Sequence, residues 1–250
     1  IENINKIPTS VIPNTNKYDL IIAADGANSA TRNKLKTSSF EFNYDQMCIT
    51  AKVLLRGVKS NESFEILSSE GPFAVLPLGG DFFQIICSQS IENGKNIMAL
   101  PKSLILDYFS TMLPDGIEPD SIVNNLSSYP IKFLLNYSFH TGKFIYLGET
   151  SHTIHPVGGQ GLNLCWRDVD SLTKLISSPW IKNKKFFVPI MYTISRIVDI
   201  LSISIFTDFL VRYARTNSTL LFFPRLFMFF IIKKSTIVRR LILNIMTNGL

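Results

Sequence analysis

Three patterns in the sequence predict an α/β fold with an inserted sheet and a helical C-terminal region. A short apolar run, Tyr18–Ala24, ends in Asp25-Gly26. A second run, Phe144–Leu147, ends in a glycine-rich loop that leads into a helical pattern. Between the two, residues 47–139 are mostly strand-like. Apolar runs this short suit buried strands. In open α/β sheets, ligands bind beyond the carboxyl ends of such strands, where Asp25 and Gly26 would stand.

The elements follow in order. Residues 1–17 are polar and rich in Pro and Asn, a loop pattern. Residues 28–36 read as a short helix after the Asp-Gly turn. Strands are expected at Met47–Arg56, Ser63–Ser68, Phe73–Pro77, Phe82–Gln89 and Ile131–Phe139. One helix, Ser103–Leu113, interrupts them, with Pro101 before it and Pro114 and Gly116 after it. Together these strands would form a mixed sheet. After the glycine loop, Leu162, Cys165, Val169, Leu172 and Ile176 recur at steps of three and four, which predicts one buried helical face. Pro179 closes that helix. Arg167, Asp168, Asp170 and Lys174 fall mostly on other faces. A solvated surface suits Lys174, whereas Arg167 and Asp168 could tie the helix to neighbouring loops. Residues 180–250 read as helices. The expected parts are therefore 1–45, 46–140, 141–180 and 181–250.

The segment Gly148–Asn163 carries the most chemistry. Its glycines let backbone N–H groups approach a ligand with no Cβ in the way. The positive end of the following helix favours negative charge. Such a loop suits an anionic or electron-accepting ring, and the plain alternative is a glycine-rich connection without a ligand. Asp-Gly alone is a common turn dipeptide. His152 and His155 are three apart, but only Glu149 could complete a metal set and Pro156 follows directly, so no metal is expected.

Two motifs together resemble one family. Asp25-Gly26-Ala27-Asn28-Ser29 with Arg32 is similar to the second nucleotide motif of the single-component, FAD-dependent aromatic hydroxylases. Gly148-Glu149-Thr150-Ser151-His152, then Pro156 and Gly159-Gln160-Gly161-Leu162-Asn163, resembles their third. His155-Pro156 and Leu162-Asn163-Leu164 running into Arg167-Asp168-Val169 are most similar to the branch that hydroxylates polyprenylated phenols in ubiquinone biosynthesis. Gly71–Leu78 and Tyr129-Pro130-Ile131 also resemble that branch's substrate-domain strands. The resemblance runs from about Tyr18 to the C-terminus.

That resemblance implies a Rossmann-like FAD-binding domain with an inserted substrate sheet. The family's G-x-G-x-x-G fingerprint occurs nowhere in the sequence, so an N-terminally truncated domain is expected. Such a chain would lack the grip on the adenosine half of FAD. NAD(P)H would reduce the flavin, and molecular oxygen would supply the atom added to a phenolic or prenylated aromatic substrate. The cofactor carries that chemistry and the protein positions it. No side chain is therefore expected to be catalytic. The implied cofactor-binding residues are Asp25, Gly26, Arg32, Gly148, Glu149, Pro156, Gly158, Gly159, Gln160, Gly161, Leu162 and Asn163. Arg32 would hold its loop or a phosphate. Glu149 departs from the family's usual Asp, and its extra methylene moves the carboxylate by roughly 1.5 Å. His152 would pack and hydrogen-bond within the loop.

The totals bound the remaining readings. The chain has 250 residues, 46% hydrophobic and 18% charged, enough for a substantial core and unlike a disordered chain. Cys48, Cys87 and Cys165 are far apart and odd in number, which argues against a disulfide framework. The net charge of +6 is concentrated at the end: residues 180–250 carry +9 and the remainder −3. No nucleic-acid motif accompanies the basic end. Its phenylalanines and aliphatics point to a membrane surface instead. Asp199, Asp208, Arg212, Arg215 and Arg225 break every run long enough to span a bilayer. A helical core without lipid contact is the other reading. A cytoplasmic protein, peripheral on the inner membrane face, is expected, with room for a biosynthetic complex as partner. Two function classes stay open: a flavin hydroxylase or a relative in the same superfamily, and a truncated, non-catalytic remnant that associates with membrane or partners.

Overall fold

The computed structural model describes residues 17–181, 184–215, 230–231 and 233–249. In chain order its elements are β1 (Ile21–Ala23), α1 (Ala30–Lys34), β2 (Ser39–Arg56), β3 (Phe64–Leu67), β4 (Pro72–Gly79) and β5 (Phe82–Ser90). Then come α2 (Ile91–Met98), α3 (Lys102–Met112), β6 (Glu118–Ile122), β7 (Ser127–Asn136), β8 (His140–Thr141), β9 (Phe144–Tyr146) and β10 (His152–Thr153). The last three are α4 (Gln160–Ser177), α5 (Val188–Arg215) and α6 (Thr236–Asn248). Two compact units result. One takes Ile1–Phe42, Phe133–Phe206 and Ile231–Leu250, and the other Asn43–Lys132 and Thr207–Phe230.

The first unit is built on a parallel pair. β1 lies beside β9 in the register Ile21↔Phe144 to Ala23↔Tyr146, and β8 adds to β9 antiparallel. All three residues of β9 are buried. A parallel pair places both carboxyl ends together, so the loops after Ala23 and Tyr146 leave from one edge. The strand expected over Tyr18–Ala24 is only three residues long. Ser29 caps α1, its hydroxyl accepting from the Arg32 N–H at 2.9 Å.

The second unit is a sheet with one face under helices. β5 pairs antiparallel with β2 and β4, β4 with β3, and β2 with β6. These pairings are all antiparallel where a mixed sheet was expected. Alternate residues of β2, namely Ile49, Ala51, Val53 and Leu55, enter a core with Phe73, Val75, Phe83 and Ile85. That is the period-two pattern of a strand with one buried face. Ile97 of α2 and Ile105 and Phe109 of α3 close over it.

Four elements escaped the sequence pattern: the two-residue strands β8 and β10, and the longer α2 and β6. α2 follows β5 directly, and its cap is Ser90, whose hydroxyl accepts from the Asn93 N–H. Gly94 sits inside that helix because a Cβ there would lie 2.3 Å from Met47. β6 contains Pro119, which a strand tolerates at an edge or a bulge. The register indeed shifts between Leu54 and Leu55, opposite it.

The face expected for α4 needs correction. Its buried residues are Gln160, Leu164, Asp168 and Leu172, a strict four-residue stripe. Leu162 and Trp166 are exposed, as are Val169 and Ile176. Of the expected face, Leu172 is buried and Cys165 half-buried; two of the four buried residues are polar, so hydrophobic periodicity missed most of the buried stripe.

Phe109 is fully buried and packs its ring 6.0 Å from that of Phe73. Phe109→Ala is expected to destabilise the protein by about 3–5 kcal/mol. Urea unfolding should show a lowered midpoint with an unchanged slope.

Candidate functional site

The Asp25-Gly26 turn leaves β1 with Gly26 in the left-handed region, at φ 81°. The Asp25 carboxylate accepts from the Ser29 hydroxyl at 2.5 Å and from the Thr31 N–H at 2.9 Å. Partial burial pushes its pKa up, but those two donors outweigh it and hold the pKa below the ordinary carboxylate value. Asp25 is thus anionic and presents an exposed edge.

Thr150 locks this turn to the loop after β9. Its hydroxyl accepts from the Gly26 N–H at 3.0 Å and donates to Asp25 Oδ1 at 3.2 Å. Its carbonyl accepts from Arg32 Nη1 and from Asn136 Nδ2, each at 3.2 Å. Arg32 is buried and also donates to the Ala27 carbonyl at 2.8 Å. Its guanidinium therefore braces two loops through their carbonyl oxygens.

Gly148 opens the second loop at φ 61°. A Cβ there would lie 3.1 Å from Cys165 Sγ, so α4 packs against bare backbone. The Gly148 N–H donates to Asp168 Oδ2 at 3.0 Å, and His152 Nε2 meets the same oxygen at 2.8 Å. Asp168 Oδ1 accepts from Arg196 Nε at 2.8 Å. Arg196 also pairs with Asp199, which pairs with Arg167, whose Nη1 reaches the Met246 carbonyl at 3.1 Å. Burial raises the Asp168 pKa, but His152 and Arg196 outweigh it and keep the pKa below its ordinary value. His152 thus ties the loop to α4, where a bond within the loop was expected.

The loop then turns back toward α4. His155 Nδ1 accepts from the Val157 N–H at 3.1 Å, fixing the bend at Pro156. Gly158 and Gly159 follow at φ 70° and 60°, two left-handed residues in succession. α4 begins at Gln160 with no side-chain cap. The first N–H groups of a helix have no acceptor within it. No side chain caps this end, and no atom lies within 4 Å of where a Cβ of Gly159 or Gly161 would be, so the first turn of α4 is open to a ligand. Gln160 Oε1 is buried without a hydrogen-bond partner among the described residues. Glu149 projects an exposed carboxylate from the turn Gly148–Thr150.

These groups fit FAD. The uncapped helix end suits an anionic ring edge, the bare glycines leave room for a flat group, and the Asp25 and Glu149 carboxylates are acceptors for hydroxyls. All twelve residues expected to bind cofactor lie in the first unit: Arg32 on α1 and the others on the two loops and the start of α4. Sequence reasoning missed Thr150, Asn136, Arg196 and Asp199, and saw in Asp168 only a tie.

Paired loops at the carboxyl ends of parallel strands, one opening a long helix, define an α/β protein of the nucleotide-cofactor-binding class. The chain belongs to the FAD binding domain family, whose model matches residues 14–180. It is 27% identical over 193 residues to the mitochondrial ubiquinone biosynthesis monooxygenase COQ6 of Drosophila melanogaster, covering 64% of this chain and 40% of that protein. It is 28% identical over 159 residues to the 3-demethoxyubiquinol 3-hydroxylase of Escherichia coli K12, covering 63% and 40%. The chain thus spans about two fifths of these relatives' length. Among solved structures it is similar to the p-nitrophenol 4-monooxygenase PnpA of Pseudomonas putida DLL-E4, with TM-score 0.70, 16% identity and coverage of 92% and 59%. It is similar also to pqsL of Pseudomonas aeruginosa, a probable FAD-dependent monooxygenase, with TM-score 0.66, 18% identity and coverage of 79% and 56%. The fold is that of a Rossmann-like FAD-binding domain with an antiparallel sheet and C-terminal helices.

Asp168→Asn should lower stability by about 3–5 kcal/mol, because Arg196 loses a buried partner. The folded pKa of Asp168 is depressed, so its stabilisation is complete above the ordinary value of 3.8 and is lost as pH falls through the lower folded value. Chemical unfolding at a series of pH values should show that acid-side loss in the parent and a flatter acid limb in the variant.

Proposed function

We propose that this protein serves in an FAD-dependent monooxygenase that uses NAD(P)H and molecular oxygen to hydroxylate a phenolic ring, with a polyprenylated quinone precursor as substrate. The observation that carries this reading is the Thr150 lock, which holds the Asp25-Gly26 turn and the Gly148–Asn163 loop as one surface. Family membership supports FAD, and the names of the two curated relatives support a ubiquinone-type substrate. FAD, when bound, supplies the oxygen-activating redox chemistry. The first-turn amides of α4 receive the negative edge of its ring. Asp25 and Glu149 accept hydrogen bonds from its hydroxyl chain, while Arg32 and Asp168 keep the two loops in register. Residues 1–45 and 141–180 are assigned to FAD, 46–140 to substrate and 181–250 to the C-terminal helices.

Gly161→Val provides the direct test. Gly161 has helical backbone and open space beside it, so valine should leave the fold intact while blocking the loop face. In the intact protein, FAD titration followed by flavin fluorescence should show loss of binding. Gly159→Val should do the same, with added backbone strain from φ 60°. Glu149→Asp should preserve or tighten binding, and Glu149→Ala should weaken it by about tenfold. Retention of flavin by both glycine variants would overturn the assignment.

Peripheral membrane contact has its own support. Trp180 and Phe186 are exposed beside Lys184 and Lys185, and Phe186 is 82% exposed. One face of α5 also shows Ile190, Ile194, Val198, Leu201 and Ile205 to solvent. Among the described residues no helix is long and apolar enough to cross a membrane. We infer that this surface rests on anionic lipid, with Lys233, Lys234, Arg239 and Arg240 adding charge. Co-sedimentation with anionic vesicles should be strong at low salt and weaken as salt rises. Absence of binding at every salt concentration would favour the lipid-free helical reading.

A further inference from the structure

The last turn of α6 lies against the loop that opens α4. None of the helix's own side chains is fully buried, and Ile237 and Leu241 near its start are exposed. Its end is held more closely, at three points within the first unit.

The first point is a clasp. Arg167 Nη1 donates to the Met246 carbonyl at 3.1 Å and reaches the Thr247 carbonyl at 3.5 Å. The last carbonyls of a helix lack donors within it, and a cation is favourable beside them. Arg167 is itself fixed by Asp199 at 2.9 Å, and Asp199 by Arg196, which also holds Asp168. The clasp therefore belongs to the buried charge network that anchors the Gly148 turn.

The second point is bare backbone. Gly249 ends the helix at φ 82°, its N–H donating to the Ile245 carbonyl at 3.0 Å. A Cβ there would lie 2.9 Å from Asp199 Oδ1 and 3.2 Å from Arg167 Cδ. Only glycine lets this turn approach the ion pair so closely.

The third point is Met246. Its methyl carbon lies 3.2 Å from where a Cβ of Gly158 would be. Gly158 and Gly159 are left-handed glycines in succession, and glycine has the most backbone freedom to lose on ordering. Gln160 Nε2 holds the Gly158 carbonyl at 2.8 Å. The Met246 methyl fills the space beside Gly158 into which the loop would otherwise relax.

We propose that the end of α6 is a prop for the flavin loop, with Met246 as a positioning residue for Gly158 and Arg167 as the clasp that keeps it there. The inference rests on the reading of that loop as the flavin site. Its consequence is a reciprocal coupling. A docked α6 favours the loop geometry that FAD needs, and bound FAD favours a docked α6 by the same factor.

Hydrogen exchange followed by mass spectrometry on the intact protein tests this. The reporters in the loop are the Val157 and Gly159 N–H groups, which bond to His155 Nδ1 and to the Pro156 carbonyl. Without FAD, Met246→Ala should speed exchange over residues 156–161 by about fourfold, the scale of one buried methylene group. Gly249→Ala, which forces the last turn away from the Asp199–Arg167 pair, should do the same. Met246→Leu keeps the volume and should exchange as the parent does. In the parent, FAD should slow exchange over residues 244–249, and in Met246→Ala it should not. Loop exchange unchanged in either alanine variant, or not restored in Met246→Leu, would overturn the proposal. So would FAD binding that leaves exchange in α6 unaltered. A parent that takes up no FAD tells against the monooxygenase reading alone, because the flavin-free comparison still decides whether α6 props the loop.

Discussion

A buried carboxylate at Asp168 governs the arrangement of the first unit. Removing an anion from water is costly, and the cost is met only when donors surround it. Here the donors come from three places: the Gly148 N–H, the His152 ring and the Arg196 guanidinium. Arg196 brings its own demand, which Asp199 satisfies, and Asp199 draws in Arg167 and through it the carbonyl of Met246. The first turn after β9, the middle of α4, α5 and the end of α6 thus have one mutually consistent placement. Moving any one of them would strand a charge in the interior.

The same network explains what the sequence could and could not reveal. The Asp25-Gly26 and Gly158–Gly161 loops were legible because glycine at these positions answers a backbone need: Gly26, Gly158 and Gly159 all have positive φ. The buried side of α4 was not legible, because Gln160 and Asp168 occupy it and the outer side carries Leu162 and Trp166. Thr150 was invisible for a different reason. A threonine in a turn has no pattern of its own, and its importance lies in partners 124 and 125 residues away. β2 begins at Ser39 rather than Met47, since Asn43 and Asp45 disguise an otherwise alternating strand. Asp45 even adopts φ 54° within it.

The site also divides labour between charged and uncharged groups. Arg32 and Asp168, both buried, hold backbone in place. Asp25 and Glu149, both exposed, keep carboxylate edges open. The region between them is left to amides and bare glycines. A flat, electron-accepting ring would therefore meet a surface of fixed dipoles with no titrating side chain among them, so its electrostatic surroundings would vary little near neutral pH.

Main-chain amides at the start of α4 have a consequence for inheritance. Any residue except proline supplies an N–H, so most substitutions there leave the donors in place. What keeps those amides in place is small: the two left-handed glycines, the bare position at Gly161, and the few polar struts that set the helix's origin. Everything between can drift. A recognition surface made of backbone is copied by the fold, and so outlasts the letters that encode it.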